Sequence, residues 1–346
     1  MPQKPVCIAQ ISDLHIKRPD ALAYGRVDTA KALERCVAAL NEFNPAPDFV
    51  VISGDLADTP TVEEYEHLKR LLAPLRLSFA SIPGNHDARE MMRAAFPRSN
   101  YAQASGPLDQ RIEIGGIEIL LLDSSVPGKP YGQLDSLTLE WLDATLASAP
   151  QKPALIFLHH PPFEAGIWHM DRQNLLNADA LARIVRRHSR IRLVATGHIH
   201  RATLTMFAGV PTTICPAPNH AVDLDLSHLR QPSFKVEPPA FHLHTWFPGE
   251  GFGNLVTHQV PIGSFDGPHP FFGPDGKLLY SCRTLEPIAK PEYSAQSRLM
   301  GTAATEPRPA DGRNACAFCC RSSLRSSPCL LPTFQPKQII RTGRSR

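Results

Sequence analysis

Five stretches of the chain share one arrangement: a run of apolar residues stops at a turn that carries a metal-capable side chain. They are residues 8–15, 50–58, 79–87, 156–160 and 193–200. The central one reads Val50-Val51-Ile52-Ser53-Gly54-Asp55-Leu56-Ala57-Asp58. Its β-branched run suits a strand buried on both faces, and Gly54 permits a tight exit that leaves Asp55 at the strand's carboxyl end. Ligands collect at such ends.

Helices return the chain between these strands. Val27, Ala30, Leu33, Val37 and Leu40 recur at helical spacing, and Pro45 and Pro47 stop the run. Thr59-Pro60 reads as the cap and first turn of a helix carrying Tyr65, Leu68, Leu71 and Leu72. With strands over residues 6–12 and 78–83, the order β-α-β-α-β predicts parallel strands with covering helices. The pattern then changes. Residues 111–120 read as a hairpin around Gly115-Gly116, helices are expected over 137–146 and 178–188, and strands over 154–158 and 191–196. A hairpin around Ala208-Gly209-Val210 and strands at 241–246 and 254–260 complete the set. The expected class is α/β, a four-layer α/β/β/α sandwich of two mixed sheets.

Charge divides the chain in two. The 346 residues carry a formal net charge of +3, but residues 281–346 hold 11 Lys+Arg against 4 Asp+Glu. Residues 1–280 are left with 25 Lys+Arg and 29 Asp+Glu, a net charge of −4, which argues against a nucleic-acid polymer as partner. Cysteines divide similarly: Cys7, Cys36 and Cys215 are scattered through the body, which points to a reducing compartment rather than a disulfide framework. No signal-peptide pattern and no membrane-spanning run is present, so a cytoplasmic location is expected. The domains read as a catalytic domain over 1–280 and a basic tail over 281–346, expected to be disordered. The sequence leaves a homo-oligomer open.

Collecting the turn residues gives Asp13, His15, Asp55, Asn85, His159, His198 and His200. Four imidazoles, two carboxylates and an amide describe two borderline transition metal ions sharing Asp55, divalent or mixed-valence, from Fe, Mn, Zn or Co. Residues two apart on an extended segment point the same way, so Asp13 with His15, and His198 with His200, can each serve one region.

These fragments resemble the calcineurin-like metallophosphoesterases, whose pattern is D-x-H, G-D-x-x-D, G-N-H-D/E, H and G-H-x-H. Here they are Asp13-Leu14-His15, Gly54-Asp55-Leu56-Ala57-Asp58, Gly84-Asn85-His86-Asp87, His159 and Gly197-His198-Ile199-His200. The resemblance implies one ion on Asp13, His15, Asp55 and His200 and another on Asp55, Asn85, His159 and His198, with His160 in support. It further implies that His86 faces the phosphate, where it protonates the leaving oxygen or stabilises charge on phosphorus, that Asp87 orients His86, and that Asp58 backs a ligand rather than serving as one. Within the superfamily, His159-His160-Pro161-Pro162 and His169-Met170-Asp171 resemble class III cyclic nucleotide phosphodiesterases and their glycerophosphodiesterase relatives.

The expected reaction is in-line hydroxide attack on a small phosphodiester, 3′,5′-cyclic AMP first, with a glycerophosphodiester or broad phosphodiester range second. A non-catalytic metal-binding scaffold is the alternative of another class. Asn85, His86, His169 and His220 are the expected substrate contacts. Phe163 and Trp168 are candidates to stack on a purine.

Overall fold

In the computed structural model, residues 4–227 and 229–279 are described. The chain divides into a unit over Met1–Pro268 and a second over His269–Arg346. The expected disorder of residues 281–346 lies outside the described residues. In the second unit, the described part is a short turn closed by a Phe272–Leu278 bridge.

The first unit begins with β1 (Val6–Ile11), α1 (Thr29–Glu42), β2 (Phe49–Ser53), α2 (Val62–Leu72), β3 (Phe79–Ile82) and α3 (Arg89–Ala95). It continues with β4 (Gln110–Ile114), β5 (Ile117–Leu122), α4 (Ser136–Ser148), β6 (Ala154–Leu158), α5 (Trp168–Asp171), α6 (Ala178–Arg187) and β7 (Ile191–Thr196). Six strands follow: β8 (Thr203–Phe207), β9 (Val210–Ile214), β10 (Ala221–Val222), β11 (Phe234–Lys235), β12 (Ala240–Phe247) and β13 (Asn254–Pro261).

Two mixed sheets result. The first runs β13-β12-β1-β2-β3, the second β4-β5-β6-β7-β9-β8, and β10 pairs only with β11. Three apolar clusters show the layering. Leu33, Leu40, Tyr65 and Leu68 of α1 and α2 pack on Ile11, Val50 and Ile52 of the first sheet. Ile8, Val51 and Ile82 meet Ile119, Leu155, Phe157 and Leu193 between the sheets. Leu142, Leu146, Leu181 and Val185 of α4 and α6 cover the outer face of the second sheet. This is the four-layer α/β/β/α arrangement.

Local chemistry sets the ends. Asp28 caps α1 by accepting from Lys31 N–H, and Gly115 and Gly116, at φ of 55° and 95°, make the β4–β5 turn. The cap of α2 is Thr61, not Thr59-Pro60. Its hydroxyl accepts from Glu64 N–H, while the Glu64 carboxylate reaches back to Thr59 N–H at 2.6 Å.

A buried ion pair ties the second sheet to α4. Arg190, 1% exposed, donates to Glu118 on β5 at 2.6 Å and to the carbonyls of Thr145, Leu146 and Lys152. Arg111 donates to the other Glu118 oxygen.

Asp109 is buried too, accepting from Asp123 N–H at 2.9 Å and from Thr138 Oγ1 at 2.7 Å. Burial pushes its carboxyl from 3.8 up to about 7. The folded state holds this proton more tightly than the unfolded chain does, so its stabilising effect is complete below pH 4 and is lost as pH rises through 7. Asp109→Asn can keep both hydrogen bonds without the charge. We expect it to match the wild type in thermal melts at pH 4 and to gain about 2 kcal/mol at pH 8. Parallel melting curves across that range would refute the assignment.

Candidate metal centre and active site

The parallel strands β1, β2, β6 and β7 end at the same edge of their sheets, and their exit turns bind one another. Asp13 N–H donates to the Gly54 carbonyl, His15 N–H to the Asp55 carbonyl, and Gly197 N–H to the His159 carbonyl. Asn219, which sequence reading passes over, donates to the carbonyls of Asp13 and Leu14 at 2.9 and 3.0 Å.

These turns are not extended, which corrects the reason given for the Asp-x-His and His-x-His spacing. Asp13, His15, Asp55, His198 and His200 have φ between 47° and 72°. They are five of the eight non-glycine residues with positive φ among the described residues. Each such conformation costs about 1–2 kcal/mol and persists where the surroundings over-determine it. The glycines beside them serve the neighbouring turn. A Cβ on Gly54 would lie 2.3 Å from His159 Nδ1, one on Gly84 2.1 Å from Asp55 Oδ1, and one on Gly197 2.0 Å from Ser12 Oγ and 2.8 Å from Asp13 Oδ2.

Two groups of side chains result. Ligand-type atoms of Asp13, His15, Asp55 and His200 lie within 4.8 Å of one another, and so do those of His159, His160 and His198. Asp55 stands between the groups. One oxygen accepts from His86 N–H at 2.9 Å, and the other is 3.5 Å from His15 Nε2 and 3.3 Å from His159 Nε2. Asn85 Oδ1 and the Nε2 atoms of His159, His160 and His198 are buried without a hydrogen-bond partner.

Ring tautomers follow from the outer nitrogens. His159 Nδ1 donates to the Ser53 carbonyl at 2.8 Å and His200 Nδ1 to the His220 carbonyl at 3.2 Å, so each ring, when neutral, presents a bare Nε2 inward. His200 Nε2 lies only 3.1 Å from His15 Nε2. With the His15 proton on Nδ1, toward Asp58, two lone pairs face each other there and suit a cation; with it on Nε2 the contact is a hydrogen bond. The orphaned atoms and the donor set therefore fit two borderline metal ions.

Electrostatics divide the imidazoles: burial is outweighed by Asp58 and Asp55 at His15, which is raised, and by Asp55 at His159, which is raised to about 9. Burial drives His198 and His200 down, helped by neighbouring imidazoles, and keeps them neutral as a ligand must be. Asp13 is raised by burial to about 6. For Asp55, burial is outweighed by His159, His86 and His15, and the carboxylate stays charged.

The seven expected ligands converge, and His160 joins them. It is fully buried, its Nδ1 is 2.8 Å from Ser124 Oγ, and its unpartnered Nε2 is as available as that of His159. Asp87 does not orient His86. Its carboxylate accepts from the N–H groups of Gly84, Leu56 and Ala57 and from Tyr65 OH, which ties the second and third turns together. His86 instead donates from Nδ1 to the Asp58 carbonyl at 2.8 Å. Asp58 lies behind His15, with Oδ1 3.4 Å from His15 Nδ1.

A cavity of about 430 Å³ opens over this group. His15, Asp55, Asn85, His86, His198 and His200 line it, and so do His169, Gln173, His220, Tyr24 and Phe234. Phe163 and Trp168 do not. Phe163 packs against the cluster of Ile167, Ile199 and Ile214, and Trp168 stacks with Arg172 at 5.5 Å. The aromatic wall is instead Tyr24 and Phe234, with ring centroids 4.8 Å apart, and His220 lies 5.3 and 5.4 Å from them. Tyr24 and Phe234 come from a loop and a two-residue strand with no periodicity to announce them.

Comparison with known proteins gives the same picture. The calcineurin-like phosphoesterase profile matches residues 7–202. A probable glycerophosphodiester phosphodiesterase GpdQ of Arcobacter nitrofigilis is 39% identical over 273 residues, 79% of this chain and 99% of the relative. The 3′,5′-cyclic adenosine monophosphate phosphodiesterase CpdA of Escherichia coli K12 is 34% identical over 197 residues, 57% of this chain and 70% of the relative. A dimetal phosphatase from Danio rerio shares the fold, with a TM-score of 0.51 at 14% identity, covering 76% of this chain and all of that one. Among the described residues no helix is long and apolar enough to cross a membrane. With its motif residues gathered at one sheet edge and these relatives, the chain belongs to the calcineurin-like phosphoesterases, a family of hydrolases built on a dinuclear metal centre.

Proposed function

We propose that the chain hydrolyses small phosphodiesters with two metal ions held by Asp13, His15, Asp55 and His200 on one side and Asp55, Asn85, His159 and His198 on the other. The observation that carries this is the convergence of buried, unpartnered ligand atoms on Asp55 at the floor of a cavity of about 430 Å³. When bound, the ions supply Lewis acidity and a water acidic enough to attack at neutral pH. His86, with Nδ1 committed to the Asp58 carbonyl, has Nε2 left to deliver a proton to the departing oxygen. We assign His220, Tyr24 and Phe234 to one ester arm and His169 and Gln173 to the other, a reading supported by their all lining the cavity.

Sequence reading puts cyclic AMP first. The relative at 39% identity, spanning 99% of its own length, favours a glycerophosphodiester instead. Cyclic AMP stays as the second reading, because Tyr24 and Phe234 offer a face to a purine. The free thiols of Cys7, Cys36 and Cys215 support a cytoplasmic setting. Purified protein loaded with Mn is expected to show a higher kcat/KM on glycerophosphoethanolamine than on cyclic AMP, and little on phosphomonoesters. The reverse order would restore cyclic AMP, and a preference for monoesters would overturn the diesterase reading.

A further inference from the structure

A third gathering of ligand-type atoms adjoins the two already described: those of His15, Asp58 and His86 lie within 4.8 Å of one another. Its geometry suits a cation, but one is already there. Lys17 Nζ binds Asp58 Oδ2, so a metal ion would have to sit against a fixed ammonium. His86 Nδ1 is likewise committed, to the Asp58 carbonyl.

We propose that Lys17 is a positioning residue for one half of the metal centre. It pins one oxygen of Asp58 and leaves the other facing His15 Nδ1, which keeps His15 Nε2 aimed at the ion shared with Asp13, Asp55 and His200. The inference rests on the metal-site reading above.

The three imidazoles around Asp55 are held differently. His159 and His200 donate from Nδ1 to backbone carbonyls, which no substitution at those carbonyls' own side chains removes. His15 Nδ1 is buried without a hydrogen bond, and the group facing it is the Asp58 carboxylate, 3.4 Å away. Were that oxygen to swing away, the ring could carry its proton on Nε2, facing His200 Nε2 at 3.1 Å and closing the site. Lys17 is itself anchored independently of its ammonium. Its carbonyl accepts from His67 Nδ1 at 2.7 Å, and the adjacent Ile16 bridges to Ala57. Removing the ammonium therefore leaves the turn in place.

The test is calorimetric titration of chelator-stripped protein with Mn²⁺, with thermal melts of the metal-free forms as the control for folding. Wild-type protein is expected to take up two equivalents. Lys17→Met should weaken one step ~10–100-fold and leave the other unchanged, and Lys17→Arg should recover most of the loss. Asp58→Ala, which removes the acceptor itself, should reproduce the one-sided loss even if Lys17→Met fails to fold. Equal weakening of both steps, or none, would overturn the inference while leaving the dinuclear reading intact. A third equivalent in the wild type would make the gathering a metal site and overturn it as well. A wild type that takes up fewer than two equivalents would overturn the dinuclear reading, and the inference with it.

Discussion

Asp55→Asn is expected to lower kcat/KM by ~10³-fold or more, about 4 kcal/mol of transition-state stabilisation, and to weaken both halves of the metal centre together. The side chain's position dictates this. One oxygen is engaged by His86 N–H at 2.9 Å, and an asparagine carbonyl would take over that bond. Its amide nitrogen then replaces the oxygen that lies 3.5 Å from His15 Nε2 and 3.3 Å from His159 Nε2. Two N–H donors would point to where two cations belong. The fold should survive, since the turn keeps its backbone bonds. Metal analysis alongside turnover distinguishes this from a purely catalytic defect, because a variant retaining two ions and near-normal activity at saturating Mn would remove Asp55 from the bridging position.

Far from the site, Glu118→Ala is expected to cost about 3–5 kcal/mol of stability. The Arg190 guanidinium, 1% exposed, would keep its backbone acceptors but lose the carboxylate at 2.6 Å that balances its charge. Catalysis should be unaffected while the protein remains folded, because the pair lies outside the cavity. In urea unfolding the midpoint should fall at unchanged slope, and pairing Glu118→Ala with Arg190→Met should recover much of the loss. A single-variant loss below about 1 kcal/mol would show that the guanidinium finds other partners or water.

The strands were legible because burial on both faces leaves an uninterrupted apolar run, and the site because each run ends at a turn with a characteristic side chain. Residues 154–158 and 191–196 match β6 and β7 to the residue. What the sequence hid is non-local. The job of Asp87 depends on which amides the second and third turns present, and the Arg190–Glu118 pair joins residues 72 positions apart. The left-handed turns were hidden for another reason: aspartate and histidine at positive φ look like any others in a one-letter string. Tyr24 and Phe234 meet only through the loop geometry around His220, whereas Phe163 and Trp168, nearer to ligands in sequence, spend their rings on packing.

The motif glycines carry a consequence for portability. Each makes room for a side chain of a different turn: Gly54 for His159, Gly84 for Asp55, Gly197 for Asp13 and Ser12. The five short motifs are therefore not five interchangeable cassettes. Grafting one turn into another scaffold would bring its ligand but not the vacancy that ligand needs, and an alanine at Gly84 would do its damage through Asp55, in a segment of chain it does not belong to.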